Sequence, residues 1–94
     1  MISRRLKISK EDRKMIVDYL ESNPPSIMQE FLKSIDLPKQ MEKIIYYRFL
    51  KRNHIKIVQE KLNLTQDVIS DRTTQALALI LKYIKAKNID ITQK

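Results

Sequence analysis

Residues 53–81 read NHIKIVQEKLNLTQDVISDRTTQALALIL. Two apolar stripes at helical spacing meet in this stretch. Ile55, Val58 and Leu62 form the first, and Ile69, Ala76, Leu77, Ile80 and Leu81 the second, which Ile84 extends. Leu62-Asn63-Leu64 leaves room only for a tight turn, and Asn63 tolerates the left-handed conformation that stops a helix. Thr65 offers a side-chain N-cap for the second helix, and Asp67 lies in its first turn, where the helix dipole favours an acid. Asn53 offers the same capping chemistry to the first. The stretch therefore predicts helices over 53–62 and from 65 past 81, with the dimensions of a helix-turn-helix. Such a pair has a mechanical meaning: one helix fits the major groove of duplex DNA while the other braces it.

Working outward, Ser9-Lys10-Glu11-Asp12 starts a helix, with Ser9 as N-cap, that carries Met15, Ile16, Tyr19 and Leu20 and stops at Asn23-Pro24-Pro25. Pro25 and Ser26 open a second helix with Ile27, Met28, Phe31, Leu32 and Ile35 on one side. Asp36-Leu37-Pro38 is the next break, Asp36 or Leu37 capping a third helix that carries Met41, Ile44, Ile45, Tyr47 and Phe49 and ends near Arg52. The tail bearing Lys85, Lys87 and Lys94 is expected to fray. The chain thus reads as all-α, about five helices, with an N-terminal helical pair over 1–36 and the C-terminal helix-turn-helix over 37–94, packed as one small domain or two lobes. The absence of glycine among 94 residues agrees with this, since tight β-hairpins usually need it.

Composition narrows the function classes. Without cysteine there are no disulfides or thiolate metal sites, and one histidine is too few for zinc. No apolar run approaches the roughly 20 residues that span a bilayer, and Met1–Lys10 is basic with no apolar stretch behind it, so neither membrane insertion nor a signal peptide is expected. A cytoplasmic location follows as the expectation. The net charge of +8 is uneven: residues 1–36 hold seven Lys/Arg against six Asp/Glu, residues 37–94 twelve against five. A basic half beside a nearly neutral one points to a polyanionic partner. No nucleophile–base pair or carboxylate pair is evident, so the chain is read as non-enzymatic, with no cofactor and no metal.

Residues 37–84 resemble the promoter-reading region four of sigma-70-family factors. Leu37-Pro38, Ile44, Ile45, Tyr47, Arg48 and Phe49 follow the family's opening helix, and Ile55, Val58 and Leu62 follow the first helix of its DNA-binding pair. Leu62-Asn63-Leu64-Thr65 stands where the family has Leu-Gly-Ile-Ser, and Ile69, Arg72, Ala76 and Leu77 follow the recognition helix. The sequence departs at four places: Asn63 and Arg52 stand where the family has glycine, Gln59 where it has a small residue, and His54 where it has a capping serine. The resemblance implies a sequence-specific duplex DNA-binding transcriptional regulator. Residues 1–36 are too short for the sigma domain that grips polymerase, which implies a small sigma-like regulator of the kind found on phages and mobile elements.

Helix periodicity places Gln66, Asp67, Ser70, Asp71 and Thr74 on the face opposite the apolar stripe, as candidates for base edges. Gln66 suits a bidentate contact to adenine and Ser70 is permissive. Asp67 and Asp71 accept from cytosine or repel phosphate at wrong sites. Lys51, Arg52, Lys56 and Lys61 surround the first helix of the pair as phosphate contacts. Arg72 borders both faces, and the resemblance makes it a phosphate contact too. His54 is read as exposed. Tyr46, Tyr47 and Phe49 hint at a base-stacking platform, with core packing the stronger account of Tyr47 and Phe49.

Two other readings remain open. In one, the protein grips RNA polymerase or a sigma factor without binding DNA, and residues 1–36 form a partner or homodimer face with Met28, Phe31 and Leu32 exposed. In the other it is a small subunit of a phage DNA-packaging machine.

Overall fold

The computed structural model describes residues 8–89, and all of its regular structure is helical. The elements are α1 (Lys10–Ser22), α2 (Pro25–Ile35), α3 (Lys39–Ile45) running on into a π-helical segment (Tyr46–Leu50), α4 (Ile55–Leu62) and α5 (Gln66–Lys87).

Each boundary has a local chemical cause. The Ser9 hydroxyl accepts the Asp12 N–H at 3.1 Å and starts α1. The Asn23 amide donates to the Tyr19 carbonyl at 2.7 Å at its far end, and the proline pair prevents continuation. Pro25 occupies the first position of α2. That helix ends on Asp36, whose left-handed backbone (φ 65°) turns the chain while its N–H bonds the Lys33 carbonyl. Asp36 therefore closes α2 rather than capping α3, and Pro38 takes the N-cap place of α3 with no side-chain bond. Asn53 does not cap α4 either: the His54 Nδ1 accepts the Lys56 N–H at 3.1 Å, while the Asn53 N–H is bonded to the Tyr47 carbonyl at 2.9 Å. Asn53 is held by the end of the π segment, one residue too early to reach the first turn of α4. Asn63 is left-handed (φ 57°) and closes α4, and the Thr65 hydroxyl accepts the Val68 N–H to open α5.

At 22 residues α5 is about 33 Å long and packs against each of the other four helices. Its buried residues Ile69, Thr73, Ala76, Leu77, Ile80 and Ile84 form one continuous stripe. Helicity persists through Lys85 and Lys87 to a left-handed Asn88, because Asn88 donates back to the last turn and the lysines sit where the dipole favours cations. The expected fraying is thus absent there; Lys94 lies outside the described residues.

Two apolar clusters share α5. The larger joins Ile16 and Leu20 of α1, Met28 and Leu32 of α2, Leu37, Met41, Ile45, Phe49 and Leu50 to Ala76, Leu77, Ile80 and Ile84. It crosses the boundary expected at 36/37. The smaller, under α4, consists of Ile44, Val58 and Ile69, flanked by Tyr47, Ile55, Leu62 and Leu64. The notion that Met28, Phe31 and Leu32 face outward is overturned: Met28 and Leu32 are 1% exposed, and Phe31 lies edge-on between Tyr19 (5.4 Å) and Tyr83 (5.9 Å). The side of α2 left open instead carries Ile27, 55% exposed. Among the described residues no helix is long and apolar enough to cross a membrane.

Candidate nucleic-acid interface

The outward side of α5 begins at its cap. Gln66, Asp67 and Ser70 are exposed within two turns of Thr65. The Ile69 side chain is fully buried in the smaller cluster, which anchors the N-terminal half of α5 with these three residues exposed. Asp71 and Thr74 share that side but are half-buried and engaged. The Asp71 carboxylate accepts Arg72 Nη1 at 3.3 Å and Gln75 Nε2 at 2.9 Å. The Thr74 hydroxyl accepts Arg13 Nη1 at 3.5 Å, so α1 closes over that end of the face.

The cations divide in two groups. Lys51, Lys56 and Lys61 are exposed. Lys51 lies 6.0 Å from the Tyr46 ring and Lys61 5.6 Å from the Tyr47 ring, which orients their ammonium groups without neutralising them. The arginines are tied into the fold. Arg72 Nε donates to Gln40 Oε1 at 3.0 Å and so bridges α5 to α3 in addition to its pair with Asp71. Arg52 Nη2 donates to the Glu21 carbonyl at 2.6 Å across to α1, and its own backbone is left-handed (φ 57°). A guanidinium has five N–H donors, so each retains several for a phosphate. Tyr46 and Tyr47 are half-buried and pack edge-to-face at 5.3 Å, while Phe49 is buried in the larger cluster. Phe49 therefore cannot stack on a base.

Three residues absent from the sequence-derived site matter here. Thr73 is fully buried; its hydroxyl donates to the Ile69 carbonyl at 2.7 Å and accepts Arg48 Nη1 at 3.1 Å. Arg48, half-buried against the Phe49 ring at 5.3 Å, has its pKa lowered by desolvation and, secondarily, by the nearby Arg13 charge. The stripe spacing carried a signal for Thr73, since position 73 falls between Ile69 and Ala76. Nothing local pairs Arg13 with Arg48, which are 35 residues apart in sequence.

A separate groove lies between α2 and α3. Its cavity of about 390 Å³ is lined by Leu32, Tyr46 and Tyr47 together with Lys33, Lys39 and Lys43 among others. A second cavity of about 230 Å³ shares Lys39 and Lys43 and reaches Leu62 and Leu64. Among the described residues no His, Cys, Asp or Glu cluster could hold a metal ion. Neither a family model, nor a curated protein, nor a solved structure matches this chain.

Proposed function

We propose that this protein is a cytoplasmic, non-enzymatic transcriptional regulator that reads duplex DNA by using α4 and α5 as a helix-turn-helix of the sigma region four type. The observation that carries this reading is backbone geometry at two positions. The resemblance sets glycine at 52 and at 63, and both Arg52 and Asn63 have a left-handed backbone at φ 57°. Glycine is the residue that reaches this region without steric cost. The chain thus bends where the family pattern calls for bending, although it has no glycine at all.

On this reading α5 enters the major groove with Gln66, Asp67 and Ser70 at the base edges, and Lys51, Lys56 and Lys61 meet the flanking phosphates with Arg52 and Arg72. Thr74 and Asp71 lie at the edge of the contact. The test is titration of a genomic duplex library at about 50 and about 200 mM salt. Five phosphate contacts predict a fall in affinity of two to three decades, roughly. Absence of binding at the lower salt would sink the proposal.

The α2–α3 groove favours a second reading, a module that grips RNA polymerase. A cavity lined by Leu32, Tyr46 and Tyr47 together with Gln29, Glu42 and three lysines suits a protein segment better than a bare phosphate chain. Recovery of polymerase from a bacterial lysate by a protein without DNA affinity would select this reading instead.

A further inference from the structure

Arg13 of α1 and Arg48 of the π segment come together over the middle of α5, where Thr73 and Thr74 receive them. Like charges in a half-buried place oppose folding unless a carboxylate compensates them. Among the described residues neither guanidinium has a carboxylate partner; each makes one hydrogen bond, to a threonine hydroxyl. The nearest acid in sequence on this side of α5, Asp71, already accepts from Arg72 and Gln75.

The donor inventory is one-sided. Thr73 uses its hydrogen on the Ile69 carbonyl, so its oxygen serves only to orient Arg48. Thr74 accepts from Arg13 and keeps its hydrogen to donate. Each guanidinium keeps four of its five N–H groups. The place therefore offers many donors, two positive charges and no acceptor directed at a ligand. Two planar forks match the several oxygens of a tetrahedral phosphoryl anion better than a halide or a single carboxylate.

We infer that Arg13 and Arg48, oriented by Thr74 and Thr73, form a phosphoryl-anion site on the α1–α5 seam. The anion is either a backbone phosphate of a duplex lying on α5, in which case the site rests on the DNA reading, or a free phosphate group, in which case it does not. The bound anion neutralises a repulsion that the fold otherwise retains.

Thermal melting with and without inorganic phosphate, at matched ionic strength in chloride, tests it. Phosphate at ten times its Kd should raise the wild-type Tm by roughly 5–10 °C. Arg13→Gln should abolish that rise. In chloride alone Arg13→Gln should melt at or above wild type, since the like-charge contact is gone. Lys14→Gln removes the same charge from an exposed place on the same helix and should keep the phosphate response. Arg13→Lys, which keeps the charge but loses the fork, serves if the glutamine variant does not fold, and should respond weakly. A second arm titrates a short duplex. A loss of about tenfold in Arg13→Gln beyond that in Lys14→Gln assigns the site to backbone phosphate. Equal duplex affinities with a selective phosphate response assign it to a free phosphoryl ligand. If phosphate shifts wild type and Arg13→Gln alike, or shifts neither, and the two α1 variants bind duplex equally, the site does not exist.

Discussion

Ile69 and Gln66 sit three residues apart on α5 and do opposite work. Ile69 is fully buried with Ile44 and Val58, and its truncation to alanine leaves a void beside these two neighbours. Ile69→Ala should cost about 2–5 kcal/mol, read by chemical denaturation. Gln66 is exposed and has no hydrogen-bond partner among the described residues. Gln66→Ala should leave stability within about 0.5 kcal/mol. On the DNA reading it should weaken the preferred site by about 1–3 kcal/mol while salt-sensitive non-specific binding survives. Reversed outcomes for the two variants would show that the faces of α5 are misassigned. Thr73 makes a third case. Thr73→Val keeps the shape but leaves Arg48 without its acceptor, so a loss of about 1–3 kcal/mol is expected in the same denaturation experiment.

The turn between α4 and α5 is where element geometry is decided. Asn63 holds a left-handed backbone, and its N–H and that of Leu64 both bond the Gln59 carbonyl, closing α4. Asn63→Ala puts a Cβ with no compensating polar group into that conformation and should cost about 1 kcal/mol. Asn63→Gly should melt several degrees above the alanine variant, since glycine has no such cost. If both melt alike, the turn is not held in the left-handed form. His54 is the weaker capping point of α4, and serine, which the family pattern has there, is the better capping residue. The π segment explains why α3 reaches Leu50 and then turns: the Lys51 N–H reaches back five residues to the Tyr46 carbonyl at 2.8 Å, and Asn53 follows six residues behind at Tyr47. Arg48 lies seven residues after Met41 and four after Ile44, both buried, so it continues the buried side of α3 through this widened turn to meet Thr73.

At the scale of the molecule, α5 couples two cores of unequal size. Among the described residues the larger buries side chains from every helix except α4, whereas α4 contributes Val58, with Ile55 and Leu62 flanking, to the smaller. Stability should therefore be uneven. Val58→Ala should raise amide hydrogen exchange in α4 and the first turns of α5 well before it does so around Leu77 and Ile80. Uniform acceleration over the whole of α5 would instead show a single cooperative unit. On the DNA reading the same asymmetry bears on function, since the helix proposed to brace α5 is also the one expected to be released first.

The helices themselves, their order, most of their caps and the identity of the buried stripe on α5 were legible in sequence, because they depend on period, proline stops and short-range capping between residues a few positions apart. Ser9, Pro25, Asn63 and Thr65 act through neighbours within four or five residues. The polar face beginning at Gln66 was legible for the same reason. Other features depended on what lies across the fold. Phe31 is covered only because Tyr19 and Tyr83 arrive from α1 and α5. Arg72 turns to Gln40, and Arg52 to the end of α1, through partners about thirty residues away, and the pairing of Arg13 with Arg48 has no local signature at all. Local chemistry selects where a helix begins and which side is apolar; which charges meet on its far side is set by the packing of α1 and α3 onto α5, and only the tertiary structure contains that.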